Sequence, residues 1–181
     1  MRDPLSHEQR GGSFGGPARG FERRRQVAVI GAGGAAEGSE TWAAAEEVGR
    51  LLAEAGVTVV CGGGGGVMAA VSRGAAGAGG EVIGVLPGID PAGGNPDLTH
   101  AIATGIGHAR NLAVVGSGEV VIAIGGEWGT LSEIGHARAI GRTVIALRTW
   151  SLTGRDRMEG APGVLPADTA AEAVAAALAQ L

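Results

Sequence analysis

The feature that most constrains this chain is a repeated unit: a short apolar run ends in a cluster of glycines, and a helical pattern follows. Three such units are present, with turns at residues 31–34, 62–66 and 125–130. Continuous apolar runs are typical of strands buried on both faces of a parallel sheet, with helices as the crossovers. The sequence therefore predicts an α/β, Rossmann-like three-layer sandwich with a mostly parallel sheet and its turns at one edge.

Hydrophobic periodicity and chain breakers divide the chain further. A Pro/Gly loop is predicted over 87–96 and an irregular segment over 148–163. Residues 1–24 form a predicted disordered Arg/Gly-rich tail, and 25–181 a single nucleotide-binding domain. The predicted strands are 26–31, 57–61, 81–86, 98–103, 119–124 and 142–147, and the predicted helices are 40–55, 67–78, 107–117, 129–140 and 167–181.

All 14 basic residues are Arg, because the chain contains no Lys. A Walker-type ATPase needs a phosphate-bridging lysine, and a pyridoxal-phosphate enzyme needs a Schiff-base lysine. Both classes are therefore excluded. The single Cys61 favours a reducing, cytoplasmic location, and the four His show no metal-ligand spacing. We expect neither a metal nor a resident cofactor.

The charge is unevenly distributed. Six Arg and three acids lie in the first 25 residues, whereas eight Arg and fifteen acids follow, which divides the net −4 of the chain into +3 and −7. An acidic domain matches a phosphate backbone poorly, so we expect no nucleic-acid partner. No apolar run is long enough to cross a membrane, and the N-terminus lacks the apolar core of a secretory signal.

The glycine turns indicate a phosphate site. Glycine allows a sharp turn and a close backbone approach, and the N-terminus of the following helix attracts anions. Three such turns at one sheet edge are difficult to explain by packing alone. The glycines expected to bind the ligand are Gly31, Gly33, Gly34, Gly63, Gly64, Gly65, Gly125, Gly126 and Gly129.

The third turn adds two polar side chains. Thr130 can donate its hydroxyl to a phosphate, and the Glu133 carboxylate lies one helical turn further on. The same S/T-x-x-E spacing also fits an N-terminal capping box, which the spacing alone favours. Trp128 either stacks on a planar ligand or packs on its own domain. Met68 is interpreted as a core residue and His108 as a helix-surface residue.

These motifs resemble those of a known family. Gly-Gly-Glu-Trp-Gly-Thr-Leu-Ser-Glu at 125–133 is similar to the PGGxGTxxE signature of the LONELY GUY (LOG) family of nucleoside-monophosphate phosphoribohydrolases, which are often mislabelled lysine decarboxylases. Residues 61–68 resemble its GGGxxGLM loop, and Arg110 and Asn111 stand at its Arg-Lys motif. Glu133 follows Arg110 by 23 residues, as in the family. The resemblance covers residues 27–150.

The resemblance implies that Arg110 and Glu133 are catalytic and that Asn111, Trp128 and Thr130 contribute to ligand binding. The implied reaction is hydrolysis of the N-glycosidic bond of a purine nucleoside 5′-monophosphate. It also implies a homo-oligomer, a dimer or larger.

A LOG-related branch, which includes the molybdenum-cofactor carrier proteins, is closer in detail through its GAGG, ARN and GTLSEI segments. Ile124, Asn111 and Ser132 replace the Pro, Lys and Glu usual in LOG enzymes. The alternative to hydrolysis is therefore a non-catalytic carrier of a nucleotide or a phosphorylated pterin.

Overall fold

The computed structural model describes residues 24–151 and 161–181. The predicted tail lies outside these residues except for Arg24, as does most of the predicted irregular segment. No helix in the two described ranges is both long and apolar enough to span a bilayer. The elements are β1 Gln26–Gly31, α1 Glu40–Glu54, β2 Thr58–Cys61, α2 Val67–Gly77, β3 Val82–Leu86, β4 His100–Ala103, α3 Arg110–Ser117, β5 Val120–Ile124, α4 Trp128–Ala139, β6 Thr143–Leu147, β7 Val164–Ala167 and α5 Ala170–Leu178.

The strands form one seven-stranded sheet in the order β4-β3-β2-β1-β5-β6-β7, and every neighbouring pair is parallel. The predicted Rossmann-like α/β fold is confirmed. The chain leaves β1 toward β2 and later returns to place β5 on the other side of β1. The sheet order therefore reverses between β1 and β5, which is where parallel α/β sheets open a crevice at the carboxyl ends of their strands.

The end of the chain differs from the prediction. Residue 167 was assigned to the start of the last helix, but Val164–Ala167 forms edge strand β7 beside β6. Helix α5 begins only at Ala170, where the Thr169 side chain accepts a hydrogen bond from the Glu172 backbone N–H. Pro166 makes this strand difficult to predict from the sequence, because proline argues against a strand except at the edge of a sheet.

Helices cover both faces of the sheet. Alternate residues of β1 face opposite cores: Val27 and Val29 pack with α1, α2 and α5, whereas Ala28 and Ile30 pack with α3 and α4. Side chains of successive strand residues point to opposite faces, so the apolar runs supply both cores at once. This burial fixes the carboxyl ends of β1, β2 and β5 side by side.

Candidate functional site

A cavity of about 130 Å³ opens at the carboxyl ends of β1 and β2, beneath α3 and α4. Five residues that the sequence analysis predicted for the site line this cavity together, although they come from three separate regions of the chain. Its lining residues are Val29, Ile30, Gly31, Gly62, Met68, His108, Arg110, Asn111, Thr130 and Glu133.

Glu133 is the buried acid of this cavity. Helix α4 carries it inward, and only 8% of the residue is exposed. Its Oε1 lies 3.9 Å from Nη1 of Arg110. Burial raises the pKa of Glu133 to about 7, and the nearby Arg110 charge opposes this shift. A carboxyl group with this pKa changes its charge near neutral pH.

Arg110 is the cation of the cavity and stands at the first turn of α3. A Cβ atom on Gly62 would lie 2.5 Å from Nη1 and 2.7 Å from Nη2 of Arg110, so the guanidinium rests directly on the backbone of the second glycine turn. Buried Arg110 Nε has no hydrogen-bond partner within the described residues, and neither does buried Asn111 Oδ1. These two atoms leave one donor and one acceptor for a ligand.

Helix α4 starts earlier than the capping-box interpretation requires. Its N-cap is Glu127, whose side chain caps no backbone N–H, and its first residue is Trp128. Thr130 is therefore the third residue of the helix, buried beside Gly126, and the prediction of a Thr130–Glu133 capping box is wrong. Residues three apart in a helix share a face, and Thr130 and Glu133 both line the cavity.

The first and third turns flank this cavity. A Cβ on Gly31 would collide with the Ile124 carbonyl of the adjacent strand end, so only glycine allows the two backbones to meet there. A Cβ on Gly33 would lie 3.8 Å from Met68 Cε, and one on Gly34 would lie 3.8 Å from Glu127 Oε1. Gly125 and Gly126 have φ angles of 57° and 129°, which other residues rarely adopt. The Gly33 and Gly34 N–H groups have no acceptor in the described parts of the chain.

The three glycines of the second turn that were predicted to bind the ligand differ in whether their N–H groups are available. Gly63 packs against Leu86 and Leu98, and its N–H donates to Cys61 Sγ at 3.4 Å. The N–H groups of Gly64 and Gly65 have no acceptor within the described residues. Two donors of the predicted trio are therefore available to an anion, whereas the third is occupied.

Trp128 projects from the rim and is 75% exposed. Its ring centroid lies 5.1 Å from that of Trp150, with the ring planes tilted by 39°. Trp150 Nε1 donates to the Glu127 carbonyl at 3.3 Å, which ties the pair to the third turn. Trp128 thus packs within its own domain and still presents free ring surface.

Sequence reasoning did not predict five residues of the cavity wall, namely Val29, Ile30, Gly62, Met68 and His108. Met68 and His108 both line the cavity, although they were interpreted as a core residue and a surface residue. Met68 belongs to the glycine motif and His108 is two residues from Arg110. Proximity to these motifs was the available signal for both.

Comparison with known proteins identifies the family. The model of the SLOG cluster4 family matches residues 24–176. The chain belongs to this family. The match spans every strand and every glycine turn described above, so the SLOG cluster4 assignment applies to the whole sheet and to the cavity at its edge.

Three relatives of this SLOG cluster4 protein are informative. An uncharacterized protein of Archaeoglobus fulgidus is 44% identical over 68% of this chain and 80% of its own. A probable cytokinin riboside 5′-monophosphate phosphoribohydrolase, LOGL5 of Oryza sativa subsp. japonica, is 35% identical over 62% of this chain but only 47% of its own. The molybdenum cofactor binding protein of Rippkaea orientalis has a TM-score of 0.75 and 29% identity over 88% of this chain and 98% of its own.

Proposed function

We propose that this protein binds a nucleoside 5′-monophosphate at the carboxyl edge of its sheet and hydrolyses the N-glycosidic bond, releasing the base and ribose 5-phosphate. The observation that carries the proposal is the Arg110–Glu133 pair, buried in a cavity beside glycine amides that have no acceptor within the described residues. The likeness to a probable phosphoribohydrolase supports the same reaction.

Each group has a chemical role in this reaction. The glycosidic C–N bond breaks through an oxocarbenium-like ribose, water forms the new C–O bond, and a proton passes to the departing base. Ionised Glu133 stabilises the positive ribose and polarises the attacking water. Arg110 orients the carboxylate or the phosphate, while the glycine amides and Thr130 hold the phosphate.

Substitution of Glu133 tests the hydrolysis. We expect Glu133→Gln to lower the release of adenine from AMP about 100-fold or more, since it removes the charge that stabilises the transition state. Chromatography of released adenine measures the rate. Glu54→Gln is the matched control, because Glu54 pairs with Arg50 on the exposed surface of α1. Equal rates in wild type and Glu133→Gln would contradict the catalytic role.

A second candidate is carriage of a phosphorylated pterin such as molybdenum cofactor as cargo. Asn111 in place of the usual Lys favours it, as does the likeness to a molybdenum cofactor binding protein. Asn111 Oδ1, an acceptor with no partner in the part of the chain that the structure describes, suits the N–H groups of a pterin ring. Purification with a fluorescent pterin, and no adenine release, would favour carriage over hydrolysis.

We further infer a homo-oligomer, which the sequence resemblance already implied. Ile89, Ile102, Ile106 and Leu112 are exposed around edge strand β4 and the start of α3. Clustered apolar residues of this kind are typical of protein interfaces. Light scattering of the wild type and of Ile102→Glu would test this, with a monomeric variant expected.

A further inference from the structure

The loop before β4 reaches across the sheet edge to the second glycine turn. Its contact residue is Asn95, which lies in the Pro/Gly loop predicted over residues 87–96. The Asn95 backbone N–H donates to the Gly63 carbonyl at 2.8 Å, and its Nδ2 donates to the Gly64 carbonyl at 3.1 Å. Asn95 therefore holds two successive carbonyls of the turn.

The Asn95 side chain is itself held on both sides. Its Oδ1 accepts from the Asp97 backbone N–H at 3.2 Å, and its Nδ2 also donates to Ser72 Oγ at 3.3 Å. Ser72 is fully buried in α2 and donates to the Met68 carbonyl at 2.7 Å. Because both ends of the amide have partners, its orientation is fixed and the Gly64 carbonyl faces a donor that does not move.

The hydrogen bonds from Asn95 determine the direction in which the N–H groups of the turn point. In a trans peptide the C=O and N–H groups point in opposite directions, and the described residues contain no cis bond. Holding the Gly63 and Gly64 carbonyls toward Asn95 turns the N–H groups of Gly64 and Gly65 away from it. Neither N–H has an acceptor in the described parts of the chain. Both remain free for an anion.

The second glycine turn also lies next to a residue of the cavity wall. A Cβ on Gly64 would lie 3.0 Å from Met68 Cε, and Met68 lines the cavity together with Gly62. Without Asn95, the Gly63 and Gly64 peptides could rotate and present carbonyl oxygens to the ligand. A negatively polarised oxygen in that position repels phosphate, whereas an N–H attracts it.

We propose that Asn95 is a positioning residue that presets the second glycine turn to receive the ligand phosphate. The inference rests on the proposed function and adds a determinant of phosphate affinity outside the cavity. It acts through the backbone of Gly64 and Gly65 and touches no ligand atom. Its removal should therefore weaken the phosphate contribution to binding and spare the contribution of the nucleoside.

Calorimetric titration of the full chain with AMP and with adenosine tests this, with Glu133→Gln introduced into the wild type and into every variant so that AMP is not consumed during the titration. The readout is the ratio of the two dissociation constants, which isolates the contribution of the phosphate to binding. We expect Asn95→Ala to reduce the preference for AMP about tenfold, the loss of roughly one charge-assisted hydrogen bond. A purely structural role would weaken both ligands equally and leave the ratio unchanged, which would overturn the proposal.

Asp90→Ala is the matched control. Asp90 Oδ1 accepts from the Ala92 N–H in the same loop at 2.8 Å, and among the described residues Asp90 forms no hydrogen bond with the glycine turn. The Asp90→Ala variant should prefer AMP over adenosine to the same extent as the wild type. If Asn95→Ala does not fold, Asn95→Asp serves instead, since it keeps the acceptor for Asp97 and places a carboxylate oxygen against the Gly64 carbonyl.

The two proposals fail in different ways. A wild-type protein that binds AMP no better than adenosine defeats the proposed function, and the role of Asn95 with it. A wild-type protein that prefers AMP, together with an Asn95→Ala variant that keeps the full preference, defeats only the role of Asn95.

Discussion

At the scale of single residues, Gly62 controls the position of Arg110. Its backbone supports the guanidinium, and its φ angle is not in the region reserved for glycine. A Cβ on Gly62 would meet the flexible end of Arg110 and would lie 2.7 Å from Met68 Sδ. A methyl group there would displace side chains rather than the backbone.

Gly62→Ala should therefore fold and lose function. We expect the added methyl group to push the guanidinium away from Glu133 and to lower adenine release at least tenfold, since small misplacements of catalytic groups are costly. Thermal unfolding and activity, measured on the same preparation, check this. Unchanged activity in a folded variant would show that the position of Arg110 over Gly62 is not needed.

At the scale of elements, helices α1 and α2 approach closely enough to require glycine at their crossing. A Cβ on Gly49 would overlap the Val71 carbonyl, and one on Gly74 would overlap the Glu46 carbonyl. These collisions involve backbone atoms, which cannot move without separating the helices. The crossing supports α2, whose N-terminus follows the second glycine turn.

Two glycines of α2 give a paired prediction. Gly74→Ala should lower the free energy of unfolding by about 1–3 kcal/mol, because it overpacks the crossing. Gly77→Ala has open space around its added methyl and should raise the free energy of unfolding by up to about 1 kcal/mol through helix propensity. Urea unfolding measures both. Similar effects at the two positions would argue against the close crossing.

At the scale of the whole molecule, the buried Glu133 links stability to pH. Its pKa of about 7 in the folded protein exceeds that of an unfolded Glu, so between about pH 4.5 and 7 the folded state binds more protons than the unfolded state. Stability therefore falls as the pH rises through this range. Glu133→Gln removes the titrating group.

Unfolding by urea at pH 5 and pH 8 tests this linkage. The wild type should lose about 2–3 kcal/mol more than Glu133→Gln between the two pH values. The comparison uses the difference between pH values, so a constant cost of leaving Arg110 without its ionised partner cancels. Parallel losses in the two proteins would place the Glu133 pKa near its ordinary value.

The charge distribution gives a further whole-molecule prediction. Residues 26–181 carry the −7, so any affinity for DNA should come from the Arg-rich start of the chain and should weaken steeply with salt. Replacing the three arginines at 23–25 by Gln should abolish a gel shift seen at low salt. A shift that survives both the replacement and 200 mM salt would indicate a true nucleic-acid site.

The sequence by itself determined the order of elements from β1 to β6, the parallel sheet and the edge on which the glycine turns meet. These follow from local patterns, since apolar runs must be buried and glycine clusters end them. Predicted helix α1 and strand β1 differ from the structure by no more than one residue at either end. The resemblance added the pairing of Arg110 with Glu133.

Only the tertiary structure decided which groups the turns leave free. Occupation of the Gly63 N–H by Cys61, the hold of Asn95 on the turn and the position of Met68 depend on neighbours distant in the sequence. Edge strand β7 likewise forms because β6 offers it a partner. Hydrogen-bond partners and burial arise from packing between elements, and the spacing of residues along one element does not encode them.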